Sequence, residues 1–331
     1  MIRRACTIFV LIVLCVVSFA NITNAQALGG ASVSVSLFPT SPGPNQQVTL
    51  TVNTYSFSLQ TAEIDWTVDG GKTVGGIGYN KYTITTKKLG SPTVVTVTIT
   101  PVGSLPIVQT ITVVPSSVDI LWQATDSVVP PFYRGKALVT SESKVKFVAI
   151  PQVLDGAGSL IPTSGFLYEW RDEYNPDDAH SGFGKNVFST AMDYVNPTRH
   201  IGLDISGRDG TVAASNDIAL DPSDPKLVWY AGSPLYGTLY NHALTDDYTV
   251  KDSDVSLVVF PYFFSPGNPT SSQISYTWSL NGNTLNSPAN PNTLFLHRSN
   301  SDKGDALVNV SMLNTTKLFQ ELQSSLTLHL Q

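Results

Sequence analysis

The densest group of carboxylates in the chain lies in one short segment. It contains Asp172, Glu173, Asp177 and Asp178. Calcium takes six to eight oxygen ligands, and clusters of this kind supply them. The segment therefore raises the hypothesis of a calcium site that would stiffen the contact between neighbouring domains. The alternative is a solvated turn after a strand, since the corresponding segments of the two related units described below lack the acids.

No set of residues in the sequence has the spacing of a catalytic site. The histidines are scattered and form no close pair, and they are His180, His200, His242, His297 and His329. Cys6 and Cys15 both lie within the first 20 residues, so the rest of the chain offers no thiol nucleophile. We assign no catalytic residue and expect a non-enzyme. A carboxylate pair for glycoside hydrolysis leaves no spacing signal in a β fold, so an extracellular hydrolase with a site in unit two or three stays an alternative.

Aromatic residues offer a second kind of candidate site. The candidates are Phe132, Tyr133, Tyr236 and Tyr240, which follow prolines in two similar stretches of the chain. Aromatic side chains on a loop can form a ligand platform. They can equally pack between adjacent domains, and we favour packing.

The elements that position these residues repeat along the chain. Trp66, Trp170 and Trp278 are separated by 170 − 66 = 104 and 278 − 170 = 108 residues, about the length of one immunoglobulin-type sandwich. Trp122 and Trp229 repeat in the same way, at 229 − 122 = 107 residues. Apolar and polar residues alternate around them, which is the period of a half-buried strand. All five tryptophans are therefore predicted to mark the cores, with none left for a special site.

The pattern predicts an all-β chain of three tandem immunoglobulin-like β-sandwiches after a signal peptide. The predicted boundaries are 1–27 for the signal peptide, 30–115 for unit one, 116–222 for unit two and 223–331 for unit three. The links at Pro115 and Pro222 are short, which predicts a semi-rigid row that proteases cut first at these two points. Sandwich edges such as 94–100 could accept a strand from a partner.

Composition and leader indicate where the protein acts. Arg3 and Arg4 precede an apolar run at 8–20 and small residues at 25–27, which is typical of a secretory signal. We therefore expect a secreted, periplasmic or cell-surface protein with no membrane span after cleavage. The chain has 13% charged residues and a net charge of −6, which disfavours nucleic acid as a partner. No cofactor is predicted apart from the calcium considered above.

Three features together resemble a known class of repeats. They are the tryptophan of the third strand, the P-x-Y-x-G-K-A-L run at 131–138, and the Y-x-W-x-x-N-G run at 276–282. They resemble the Ig-like or PKD-like repeats of bacterial cell-envelope proteins. The resemblance implies an adhesive, stalk or assembly role with a protein or cell-surface glycan as partner, as a monomer or within a larger surface assembly. It transfers no catalytic residue. A carbohydrate-binding module is the alternative, and it predicts exposed aromatic residues in a line.

Overall fold

A computed structural model describes residues 32–208, 210–299 and 303–331, and in these ranges the chain is built from β-strands. One 3-10 turn, Thr163–Gly165, is the only helical element in those ranges. The predicted all-β class is therefore confirmed. In the same ranges no helix is long and apolar enough to cross a lipid bilayer. The predicted signal peptide at 1–27 lies outside the described residues.

Unit one forms a sandwich of a three-stranded and a four-stranded sheet. Its strands are β1 (Val33–Phe38), β2 (Gln47–Thr54), β3 (Glu63–Val68), β4 (Val74–Ile77), β5 (Lys81–Thr85), β6 (Thr93–Thr100) and β7 (Ile107–Val113). The sheets have the orders β1-β2-β5 and β4-β3-β6-β7. Strand β6 shows why these segments are strands, because its alternate residues Val95, Val97 and Ile99 are all buried. It lies between β3 and β7, so the expectation of a free edge at 94–100 is wrong.

Unit two repeats this arrangement. Its strands are β8 (Ser117–Ala124), β9 (Lys144–Gln152), β10 (Leu167–Asp172), β11 (Asn175–Pro176), β12 (Gly182–Phe183), β13 (Val187–Ala191), β14 (Arg199–Ser206) and β15 (Val212–Leu220). One sheet has the order β13-β9-β8, and the other has the order β11-β10-β14-β15 with β12 paired to β10. Strand β8 is therefore at the edge of the smaller sheet.

Unit three carries additional pairing at both sheets. Its strands are β16 (Lys226–Ser233), β17 (Gly237–Leu244), β18 (Asp247–Val250), β19 (Asp254–Tyr262), β20 (Ile274–Leu280), β21 (Asn283–Thr284), β22 (Thr293–His297), β23 (Gly304–Asn314) and β24 (Glu321–Leu330). The sheets have the orders β17-β16-β19-β22 and β18-β24-β23-β20-β21. Strand β17 covers the edge of β16 as a hairpin, and β18 runs parallel to β24.

Each unit has its own apolar core around one tryptophan, on β3 in unit one, β10 in unit two and β20 in unit three. Trp66, Trp170 and Trp278 are 0%, 1% and 1% exposed. Burial of a large aromatic side chain contributes at most about 4 to 6 kcal/mol, from roughly 150 to 250 Å² at about 25 cal/mol per Å². Each indole Nε1–H donates to a carbonyl oxygen further along the chain, namely those of Tyr79, Lys185 and Pro291, at 2.9 to 3.0 Å. The buried polar atom is thus satisfied in the same way in all three units.

Candidate functional site

Trp122 differs from the other four tryptophans. It lies on the edge strand β8 and is only half-buried, whereas its counterpart Trp229 in unit three is 3% exposed. Trp229 donates its Nε1–H to Ser324 Oγ at 2.8 Å. The Nε1–H of Trp122 has no hydrogen-bond partner within the described residues. Trp122 packs against the core of unit two but is only partly buried, because among the described residues no strand closes this edge of the sandwich.

The side chain of Lys136 covers the exposed face of Trp122. Its Nζ lies 3.3 Å from the centroid of the indole ring, a cation–π contact. Partial burial lowers the pKa of Lys136. This contact is made possible by the backbone, because Ala124 N–H donates to the carbonyl oxygen of Ala137 at 2.9 Å and holds the loop against the end of β8.

Trp122 and Lys136 form part of a groove of about 500 Å³. The groove is lined by Ile120, Leu121, Trp122, Gln123, Lys136, Lys146 and Val148. Neither lysine forms an ion pair with any residue that the structure describes. An aromatic face, aliphatic side chains and two ammonium groups suit a ligand that is partly apolar and negatively charged. The lining contains no nucleophile beside a base.

In the structure, three of the four acids of the acidic segment are hydrogen-bonded to neighbouring protein groups. Arg199 binds Asp172 through two hydrogen bonds, Nε to Oδ1 at 2.7 Å and Nη2 to Oδ2 at 2.6 Å. Glu173 accepts from the backbone N–H of His200, and Asp177 accepts from the backbone N–H of His180. Among the described residues no group of three or more His, Cys, Asp or Glu side chains is arranged to hold a metal ion. The fourth acid of the segment, Asp178, is exposed.

The electrostatics of this segment follow from these partners. Burial raises the pKa of Asp177, but the hydrogen bonds from His180 outweigh it, so the pKa of Asp177 lies below its ordinary value. Burial lowers the pKa of Arg199, but the hydrogen bonds with Asp172 outweigh this effect, so the pKa of Arg199 lies above its ordinary value. Asp172 is thus paired with the Arg199 guanidinium, and Asp177 with the backbone N–H and the ring of His180. The segment is a turn stabilised by ion pairs.

The four aromatic candidates are not brought together into one platform. Tyr133 packs edge-to-face on Phe263 of unit three, with ring centroids 5.8 Å apart. Tyr240 packs in the same way on Tyr230 and Phe260 within unit three, at 5.3 and 5.2 Å. The other two, Phe132 and Tyr236, are 97% and 81% exposed and stack on no other ring in the part of the chain that the structure describes.

Units two and three are joined by hydrogen bonds from the loop 125–143. Val128 exchanges two backbone hydrogen bonds with unit three, donating to Phe264 and accepting from Phe263 at 2.9 and 2.7 Å. The carboxylate Oε1 of Glu142 accepts from the backbone N–H groups of Leu318 and Phe319 at 2.8 and 3.1 Å. The same loop thus contacts unit three on one side and supplies Lys136 to the groove on the other.

Gln320 is the centre of a buried polar network at this joint. Its Oε1 accepts from Ser265 Oγ at 2.8 Å and from Asn314 Nδ2 at 3.2 Å, both within unit three. Its Nε2 donates to the carbonyl oxygen of Ser141 in unit two at 2.6 Å. Gln320, Ser265 and Asn314 are each 1% exposed. The Nε2–H of Gln320 is satisfied only while the two units are in contact.

Units one and two are joined by a smaller set of contacts. Ser41 Oγ donates to the carbonyl oxygen of Val212 at 3.2 Å, and Ser116 Oγ donates to that of Ala213. The backbone N–H of Ser116 donates to Pro42 at 3.1 Å. The residues of the link are therefore part of the contact and are not a free linker.

Several of these residues were not singled out from the sequence. Ile120 and Lys146 look like ordinary strand residues, and Glu142 and Gln320 look like ordinary polar residues of loops. The one available signal was the repeat itself. Unit three has an alternating run that forms β17. Unit two has the shorter run at 131–138 at the same place, and this run forms no strand beside Trp122.

Comparisons with known proteins add little beyond this geometry. No protein-family model and no curated protein matches the chain. Among solved structures, the fibronectin(III)-like modules of Clostridium thermocellum CbhA are 10% identical, with 57% of this chain and 94% of that chain covered and a TM-score of 0.27. Three N-terminal domains of the bacteriophage RB49 highly immunogenic outer capsid protein are 11% identical, with 91% and 98% covered and a TM-score of 0.24. The central fibronectin-III array of RIM-binding protein is 11% identical, with 90% and 97% covered and a TM-score of 0.30.

Proposed function

We propose that this protein acts outside the cytoplasm as a non-catalytic row of β-sandwiches, serving as an adhesive, stalk or assembly component of a surface structure. Its task is to hold a binding surface at a fixed distance and orientation. The predicted signal peptide supports export. The interior of each sandwich is filled by its own side chains, which supports a role without an enclosed active site.

The observation that carries this proposal is the buried network around Gln320. A flexible row of domains needs only solvated linkers between them. Here, bending the joint between units two and three would break the hydrogen bond between the amide of Gln320 and the carbonyl oxygen of Ser141, and both groups would be left unsatisfied. An unsatisfied buried polar group costs about 1 to 3 kcal/mol, which favours one orientation of the two units.

Small-angle X-ray scattering of the full exported chain tests the proposed stiffness. We expect a narrow distribution of interatomic distances for the natural protein. The double variant Glu142→Ala, Gln320→Ala should broaden it and raise the radius of gyration. Gln323→Ala, an exposed position on β24, is the matched control and should change nothing. A broad distribution for the natural protein would contradict a spacer role.

The alternative of a carbohydrate-binding module finds less support. Such modules need aromatic faces open to a sugar ring, and here Tyr133 and Tyr240 are packed against other rings. One face of Trp122 lies under the Lys136 ammonium group. Binding to a glycan array by the natural protein, lost in Trp122→Ala, would favour this alternative over the proposed role.

A further inference from the structure

Strand β8 has backbone groups that no other strand of the described ranges satisfies. Ile120 is opposite Ala149 in the β8–β9 pair, but the N–H of Ala149 donates to Asn186 on the other side of β9. Ile120, and Trp122 two residues later, therefore direct their N–H and C=O groups away from β9. The carbonyl oxygen of Val118 at one end accepts from Asn216 Nδ2 at 2.7 Å. Between that capped end and Ala124, the outward N–H and C=O groups of Ile120 and Trp122 have no hydrogen-bond partner in the part of the chain that the structure describes.

Unit three shows what this edge can accept. Strand β16 corresponds to β8, and its outer side is covered by β17, with Trp229 opposite Leu244 and Tyr230 opposite Ala243. Trp229 is buried as a result. In unit two the equivalent segment forms the loop 125–143. Among the described residues, the one backbone hydrogen bond between this loop and the outer side of β8 runs from the N–H of Ala124 to the carbonyl oxygen of Ala137. The same fold thus places a strand on this edge in one unit and leaves it open in the next.

The side chains around the open edge indicate the charge of the missing strand. Lys136 and Lys146 both line the groove, and neither has a carboxylate partner in the described part of the chain. The rest of the lining is aliphatic or aromatic apart from Gln123. A strand that alternates apolar and acidic side chains would match this lining, with its carboxylates on the outer face of the sheet, which carries Lys146, and its apolar side chains on the face of Ile120 and Trp122.

We propose that the edge of β8 at Ile120 and Trp122 accepts an extended acidic peptide segment of a partner protein as an added antiparallel strand. Four backbone groups are available for hydrogen bonds to it, and the groove holds its side chains. The inference deepens the proposed binding role, and its test leaves both joints untouched. A failure here would therefore be distinguishable from a failure of the proposed stiffness.

Nuclear magnetic resonance of the full exported chain tests the proposal directly. The probe is a short peptide in which glutamate alternates with valine and threonine. We expect saturable shifts of the backbone N–H signals of Ile120 and Trp122 and of the Trp122 indole N–H, with a Kd below about 1 mM. The indole signals of Trp66, Trp170 and Trp278 should not move, which also verifies that each variant is folded.

Matched variants and probes separate strand addition from other kinds of binding. The double variant Lys136→Gln, Lys146→Gln should weaken binding by about tenfold. Lys81→Gln, on β5 of unit one, is the control and should bind as the natural protein does. A peptide N-methylated at alternate residues keeps its charge but loses the backbone donors, and it should not bind. Equal binding of that peptide, no binding of the probe, or binding of polygalacturonate in its place would overturn the proposal.

Discussion

Gln320 and Ser141 lie 179 residues apart in sequence, yet a 2.6 Å hydrogen bond joins the side-chain amide of the first to the carbonyl oxygen of the second. Both ends of the Gln320 amide are used, since its oxygen binds Ser265 and Asn314. A residue in such a position stabilises unit three and its contact with unit two at once. Removal of the Gln320 side chain should therefore lower the stability of unit three and weaken its contact with unit two.

Gln320→Ala is expected to lower the free energy of unfolding by about 1 to 3 kcal/mol, because it leaves buried donors and acceptors without partners. Urea denaturation followed by tryptophan fluorescence measures this change. Gln323→Ala is the control, since that side chain is exposed and makes no buried hydrogen bond among the described residues. If both variants unfold at the same urea concentration, the network does not stabilise the joint.

Tryptophan substitutions should separate core positions from the groove. Trp278→Phe removes volume from a filled core and leaves the carbonyl oxygen of Pro291 without its donor, so we expect a loss of about 2 kcal/mol or more. Trp122→Phe changes a half-buried side chain without a hydrogen bond in the described structure, and we expect a loss below about 1 kcal/mol. Thermal unfolding of the two variants side by side makes the comparison. Equal losses would show that Trp122 is a core residue after all.

Limited proteolysis is expected to begin elsewhere than the links between units. Pro115 and Ser116 are buried, and the backbone N–H of Ser223 donates to Val139 at 2.7 Å, so neither link can easily enter a protease. Phe132 is almost fully exposed in the loop 125–143, and we expect chymotrypsin to cut first after it. Mass spectrometry of the first fragments identifies the site, and Phe132→Ser should delay the cut. Early fragments ending near 115 or 222 would restore the expectation from sequence.

Stability should depend on pH through His329. The hydrogen bond with Asp305, 2.7 Å from Nδ1 to Oδ1, raises the pKa of His329 above its ordinary value of 6.5. The protonated form is therefore favoured by folding, so this stabilisation is fully present below 6.5 and is lost as the pH rises through the folded-state pKa. Thermal unfolding between about pH 6 and about pH 8 should show a steeper decline for the natural protein than for Asp305→Asn. Identical slopes for the two proteins would contradict this contribution.

The β class could be predicted because each strand carries its own evidence. Val95, Val97 and Ile99 alternate with threonines, and this local pattern decides which face is buried whatever the rest of the chain does. The alternation of residue types around Trp170 predicts the burial of its side chain in the same way. Such features depend on neighbours within a few residues, which the sequence displays directly.

The candidate site could not be predicted because it depends on distant residues. Trp122 and Trp229 have the same type and spacing, but β17 pairs beside Trp229 while the segment after Trp122 forms no strand. The partners of the acidic segment were out of reach of the sequence for a similar reason. Asp172 looks free for a metal until Arg199, 27 residues later, is brought beside it by the pairing of β10 with β14.

The parallel pairing of β18 with β24 has a consequence during synthesis of the chain. Asp247 is opposite Thr327, a separation of 327 − 247 = 80 residues, whereas among paired strand residues of units one and two the largest separation is 191 − 144 = 47, for Lys144 with Ala191. During synthesis the edge of β18 therefore stays unpaired until β24 has been made, and by then all the residues of unit two have been made. The half of the joint that contains Gln320 would then dock onto a unit two whose chain segment is already complete.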